Sequence, residues 1–176
     1  MKHTISELDH ALSSWMQGRP HFLHHLFGWI TLIGHPAVVV FIATTCCVWT
    51  LGINRPSLAQ AFIAVILVYL ISALMKLILR RPRPKTVYAA NMMKTSFSFP
   101  SGHAFGSVVV YGLIAYLGSL FLIAPWGWVL AAGLWLLIFL IGISRIYLGA
   151  HFVLDVIGGW ILSLPALWWI IRTILT

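Results

Sequence analysis

The chain has 176 residues, 61% of them hydrophobic and 8% charged, with 11 Lys and Arg against 3 Asp and Glu, a formal charge of +8. So few charges cannot cover a water-facing surface, and so much apolar content excludes disorder, so the solvent for this single-domain length is a bilayer. The basic excess does not point to nucleic acid, because the cations sit between apolar runs that must be buried in lipid; an anionic or phosphorylated lipid is the expected partner.

Residues 4–17 predict a short amphipathic helix. Thr4 and Glu7 have capping-box spacing, and Ile5, Leu8, Leu12, Trp15 and Met16 form one apolar stripe. Residues 1–20 are therefore read as an interfacial segment lying on the membrane surface, and 21–176 as the transmembrane domain. No apolar run of the signal-peptide kind occurs in the first 20 residues. Phe22–Ile33 is apolar but short, and Gly34-His35-Pro36 breaks it, which predicts a half-crossing or tilted helix. Full spans are expected at Ala37–Ile53, Leu58–Leu79 (with Ser57 as its cap), Ala104–Ile123, Val129–Ile146 and Phe152–Ile174. Pro125-Trp126-Gly127-Trp128 reads as a tight interfacial turn. The expected class is all-α: an integral membrane bundle of five full spans plus the short N-terminal piece. Adjacent Cys46 and Cys47 make no disulfide framework. The nine Trp residues fit an interfacial belt, and Gly102, Gly106, Gly158 and Gly159 permit close helix packing.

Polar groups in lipid need a reason, and three clusters stand out: Lys76 to Arg83-Pro84, Pro100-Ser101-Gly102-His103, and Ser144-Arg145 with His151 and Asp155. Forty residues separate His103 from Ser144, which is about 60 Å of helix, one trip across a 30 Å core and back. The first cluster joins the second through the polar stretch 80–102 without a crossing. All three clusters therefore share one membrane face. His151 and Asp155, four apart at a helix start, are neighbours. Three fixed cations, a hydroxyl and the Gly102 N–H at a helix N-terminus suit a phosphate. Two histidines can supply a nucleophile and a proton donor, and Asp155 can hold one imidazole in the correct tautomer.

Lys76-x6-Arg83-Pro84, Pro100-Ser-Gly-His103 and Ser144-Arg145-x5-His151-x3-Asp155 together resemble the three-part signature of the type 2 phosphatidic acid phosphatase (PAP2) superfamily, whose members include bacterial lipid phosphatases and undecaprenyl-diphosphate phosphatases and which shares its site with vanadium haloperoxidases. The resemblance implies a PAP2-like bundle and a role at each matching position. His151 would attack phosphorus and form a phosphohistidine, with Asp155 orienting it. His103 would protonate the leaving oxygen and then activate water. Lys76, Arg83, Ser101, Gly102 and Arg145 would bind the phosphoryl oxygens.

The remaining basic residues Arg80, Arg81, Lys85 and Lys94 fall outside the matched positions and are expected to meet lipid headgroups. Ser144 is expected only to pack or hydrogen-bond. His21, His24, His25 and His35 are read as interfacial or structural, not as metal ligands. Two-metal phosphoryl transfer uses several acidic ligands, yet Asp155 is the only acid beyond residue 9. A Cys-x5-Arg phosphatase is excluded because Gly52 and Ile53 stand where the arginine belongs. The expected chemistry is metal-independent and cofactor-free, with no obligate protein partner. Candidate substrates are undecaprenyl diphosphate, phosphatidylglycerol phosphate, phosphatidic acid and lipid A phosphates. A phosphotransferase using the same intermediate and a non-enzymatic phospholipid-binding or transport protein are the alternatives. The positive-inside rule alone would place the site face in the cytoplasm. Bacterial relatives place it on the periplasmic or extracellular side of the inner membrane, and that side is the expectation here, since three of the cations are committed to phosphate.

Overall fold

A computed structural model describes residues 5–18, 21–92 and 97–174. Thr4 and Lys94 therefore lie outside the described residues. Among the described residues eight α-helices follow one another: α1 (Ile5–Gln17), α2 (His24–Ile33), α3 (Pro36–Gly52), α4 (Pro56–Leu79), α5 (Val87–Ala90), α6 (Gly102–Phe121), α7 (Trp126–Tyr147) and α8 (Val153–Ile174), with one 3-10 turn at His21–Leu23. Among the described residues five segments are long and apolar enough to cross a membrane, α2 and α3 counting together as one from His24 to Gly52.

The reason for the break inside that segment is local. Gly34 ends α2, and His35 is extended, its Nδ1 accepting from the Ala37 N–H while Pro36 opens α3. Proline suits a first helical position, where its missing N–H costs nothing. At ten residues, α2 is about 15 Å long, half the hydrocarbon thickness. Its last turn is tied down by the Tyr111 hydroxyl, which donates to the Ile33 carbonyl at 2.7 Å. Two boundaries differ from expectation. Pro56 starts α4 with Arg55 at the cap position, so Ser57 is already inside the helix. Trp126–Trp128 form the first turn of α7 and not the turn before it.

The helix α6 runs through the middle of the bundle. Val108, Val109, Val110 and Leu113 on it are buried against Val39 and Ala43 of α3, Phe62 and Val65 of α4, Ile138 and Ile141 of α7, and Leu167 and Ile170 of α8. The outer faces carry exposed Phe41, Leu67, Ile78, Leu136 and Trp168, as a lipid-facing surface requires. The small residues act as foreseen. A Cβ on Gly106 would stand 3.0 Å from the Tyr69 ring, and one on Gly159 would stand 2.9 Å from the Ser101 carbonyl oxygen. Gly159 thus lets α8 press against the start of α6. There the Ser101 N–H donates to the Asp155 carbonyl at 2.9 Å, so the two helices are joined backbone to backbone at the rim that carries the polar clusters.

Candidate active site

Each cluster arrives at the rim by a short, well-braced piece of chain. Lys76 stands in the last turn of α4, which ends at Arg80 in the left-handed conformation. The strand of loop that follows is pinned by Ser98, whose N–H donates to the Arg81 carbonyl at 2.8 Å and whose hydroxyl reaches the Pro82 carbonyl at 2.9 Å. The α7 helix ends in a Schellman motif: Gly149 at φ 74°, with the Ala150 N–H on the Arg145 carbonyl and the Gly149 N–H on that of Ile146. Glycine is required there twice over, for the positive φ and because a Cβ would stand 2.8 Å from Thr86. The Thr86 hydroxyl donates to the Gly149 carbonyl at 2.7 Å and also caps α5. The turn that delivers His151 is thereby fixed to the loop that delivers Arg83.

A cavity of about 640 Å³ opens at this rim. Lys76, Arg83, Gly102, His103, Arg145 and His151 all line it, so six of the eight predicted site residues share one space. The Arg83 Nη1 donates to the Ala150 carbonyl at 2.8 Å and lies 3.2 Å from His151 Nε2. Lys76 Nζ reaches the Phe97 carbonyl at 3.5 Å, a long contact that leaves the ammonium able to serve an anion. Arg145 is 1% exposed; its Nη1 donates to Thr31 Oγ1 at 2.6 Å and its Nε has no hydrogen-bond partner. A buried guanidinium N–H without an acceptor is costly, and the residue that carries it lines the cavity.

The other two predicted residues lie behind the wall. Ser101 is fully buried and caps α6, its Oγ accepting from the Ala104 N–H at 3.5 Å. Its hydroxyl thus holds the helix whose first residues, Gly102 and His103, face the cavity. Asp155 is also fully buried. Its Oδ2 accepts from the Phe152 N–H at 2.9 Å and lies 3.5 Å from His151 Nδ1, beyond the usual range of a well-formed N–H···O bond. Burial, with Arg145, Lys76 and Arg83 nearby, pushes the His151 pKa well below the ordinary histidine value. The imidazole is therefore neutral at neutral pH, the form a nucleophile needs. Burial first and then Arg145 lower the Arg83 pKa as well.

One expectation fails. Arg81 does not reach out to headgroups: its Nη1 donates to Asp155 Oδ1 at 2.7 Å and its Nη2 to Asp9. The pull of two buried carboxylates outweighs solvation of the guanidinium. Neighbouring Arg80 does stay outside, with Nε on the Leu77 carbonyl, and Lys85 is exposed. Ser144 only packs, its hydroxyl bonded to the Ile141 carbonyl. Residues that the sequence did not single out complete the cavity wall: Thr31, Tyr69, Tyr88 and Met92. His35, read as structural, also lines it, 5.8 Å from the His103 ring. Only the polarity of Thr31 and Tyr88 within apolar surroundings could have drawn attention to them. Among the described residues no group of three or more His, Cys, Asp or Glu side chains is placed to share a metal ion.

The phosphatidylglycerophosphatase B of Bacillus subtilis (strain 168) is 39% identical over 103 residues, 54% of this chain and 47% of that protein. An undecaprenyl-diphosphatase of Sulfolobus acidocaldarius is 38% identical over 77 residues, 43% of this chain and 33% of that protein. The chain thus matches less than half the length of either curated relative. Among solved structures, the transmembrane PAP2 type phosphatidylglycerolphosphate phosphatase of Bacillus subtilis superposes with a TM-score of 0.79 at 28% identity, over 96% of this chain and 86% of that one. Aquifex aeolicus LpxE shares the fold with a TM-score of 0.65 at 20% identity, over 94% and 95%. A sequence profile of the PAP2 superfamily matches residues 57–176, from α4 to the end and across all three polar clusters. The chain belongs to the PAP2 superfamily.

Proposed function

We propose that the protein is a lipid phosphatase that removes phosphate from a phosphate monoester or diphosphate on a membrane lipid, without a metal ion, through a phosphohistidine on His151. The observation that carries this reading is the convergence of Lys76, Arg83 and Arg145 with His103 and His151 on one cavity. Binding alone would need the cations but not two imidazoles backed by a buried carboxylate.

In this mechanism Lys76, Arg83, Arg145 and the Gly102 N–H hold the non-bridging oxygens and stabilise the charge that spreads over them. The neutral His151 Nε2 attacks phosphorus. The P–O bond to the leaving oxygen, the lipid's own in a monoester or the bridging one in a diphosphate, breaks as His103 delivers a proton to that oxygen. His103, now neutral, takes a proton from water as the water attacks phosphorus, and the N–P bond breaks to release inorganic phosphate. Asp155, near Nδ1, favours the imidazolium that forms in between. Asp155 already accepts from Arg81 and from the Phe152 N–H, which agrees with a role toward His151 instead of a metal.

Likeness to the Bacillus subtilis phosphatidylglycerophosphatase B makes phosphatidylglycerol phosphate the first substrate to test. Undecaprenyl diphosphate comes second. We place the site on the outer face of a bacterial inner membrane. The positive-inside objection loses force because Lys76, Arg81, Arg83 and Arg145 are all engaged at the rim.

Phosphate release from purified protein tests the reading, with phosphatidylglycerol phosphate, undecaprenyl diphosphate, phosphatidic acid and lipid A as substrates. One of these should turn over in the presence of EDTA, vanadate should inhibit, and His151→Ala should cost about 10⁴-fold or more in kcat. Release that EDTA stops, or that survives His151→Ala, refutes the mechanism. For orientation, Lys85→Cys in a Cys46→Ser, Cys47→Ser background should react with an impermeant thiol reagent on intact cells. Reaction only after lysis would turn the molecule over.

A further inference from the structure

The N-terminal helix is packed polar side inward. Ile5, Leu8, Leu12 and Trp15 are exposed, whereas Asp9 and Ser13 are buried against the start of α8. Ser13 Oγ accepts from the Val153 N–H at 3.1 Å, and Asp9 Oδ1 accepts from the Leu154 N–H at 2.9 Å. These are N–H groups that an α-helix leaves unbonded in its first turn, so α1 caps α8 from outside, just ahead of Asp155. The second Asp9 oxygen accepts from Arg81 Nη2, while Arg81 Nη1 donates to Asp155 Oδ1 at 2.7 Å. The guanidinium lies over the Phe152 ring at 4.7 Å, and His10 of α1 meets the same ring edge-on at 4.5 Å. Arg81 is thus a rigid fork with one carboxylate on each arm.

Charge explains why both carboxylates matter. A guanidinium paired with Asp155 alone would neutralise the group meant to support a positive imidazole. With Asp9 on the other arm, the three side chains together keep one negative charge beside His151, at a place shielded from water where it acts strongly.

We infer that Asp9 and Arg81 are positioning residues, which set Asp155 in place and preserve its negative charge for the His151 imidazolium of the phosphoryl-transfer step. This rests on the proposed nucleophilic role of His151. Because α1 supplies Asp9, the amphipathic helix is a working part of the site and not only a surface anchor.

The test is steady-state kinetics on purified Asp9→Asn, Asp9→Glu, Arg81→Lys and the Asp9→Asn/Arg81→Lys double variant, beside the parent and His151→Ala. Asp9→Asn should lower kcat by about 10- to 50-fold, an increase in barrier of roughly 1.4–2.3 kcal/mol, with KM within about twofold. Asp9→Glu should recover most of that loss. Arg81→Lys keeps a charge but cannot fork, and should show the same split between kcat and KM; it carries the test if Asp9→Asn does not reach the membrane folded. The double variant should be no slower than the slower single, because both act through one contact. A kcat within about twofold of the parent in Asp9→Asn or Arg81→Lys, a loss confined to KM, or additive losses in the double variant would overturn the inference. In each of those results an inactive His151→Ala leaves the phosphohistidine reading standing, whereas an active His151→Ala overturns both.

Discussion

The two ends of the bundle each hold a cavity, and their contrast is more informative than either alone. At the far rim, Cys46, Trp49, Phe62, Ile114, Leu117 and Leu130 line a space of about 450 Å³ with Arg55 at its edge. At the site rim the space is about 640 Å³, walled by three cations and three imidazoles. The near space is the larger, but the chemistry of the walls separates the two more sharply. The far cavity is a gap that lipid tails can fill at no cost, since its walls are as apolar as the tails. The near one confines like charges in a low-dielectric setting, which is expensive unless an anion arrives. An apolar lining, a common first guide to binding sites, would have pointed to the far end; buried polarity points to the near one.

The sharpest way to break that contrast is to disable the near end by single atoms. Asp155→Asn leaves the shape intact, and kcat should fall by about 10³- to 10⁴-fold with KM little changed, as when a triad carboxylate is neutralised. Turnover assays on the purified variant would show it. Arg145→Lys removes the fork that Thr31 holds, and kcat/KM should drop roughly 10²-fold, the scale of losing one fixed donor to developing charge. Gly149→Ala strains the positive φ and drives a methyl group into Thr86; activity should fall about tenfold and stability by about 1–2 kcal/mol.

A subtler effect concerns protons. The folded His151 pKa is depressed and the unfolded one lies near 6.5. Above that value the residue is neutral in both states and has no effect on stability. As pH falls below about 6.5 the unfolded chain takes up the proton first, so the folded state loses stability, and the loss stops growing below the folded pKa. Thermal melts in detergent from pH 8 to 5 should therefore show the parent losing stability more steeply than His151→Ala. At the far end, Cys46→Ser with Cys47→Ser should leave kcat within about twofold and shift Tm by only a few degrees, since neither thiol has a bonded role. A large loss of turnover there would erase the distinction between the two ends.

The span pattern, the three clusters and their common rim were legible because lipid makes every polar residue conspicuous and helix rise converts spacing into depth. The division of labour between adjacent arginines was not. Arg80 and Arg81 stand where α4 ends and its periodicity stops, so nothing in the order of residues says which one turns inward. The roles of Asp9 and Ser13 were not legible either, because their partners on α8 lie some 140 residues away. Ser101 matched a motif, yet its hydroxyl is spent on capping α6, a choice set by backbone geometry after residue 100.

The backbone bond from Ser101 N–H to the Asp155 carbonyl bears on how the molecule meets its substrates. It locks the segment presenting one imidazole to the segment steering the other, like two jaws of a vice fixed at the hinge. A displacement at the start of either helix is thereby passed to the other. On the proposed reading, selectivity among lipids then falls to the walls outside that pair, which Thr31 and Leu32 of α2, Tyr69 and Ala73 of α4, and Tyr88 and Met92 supply.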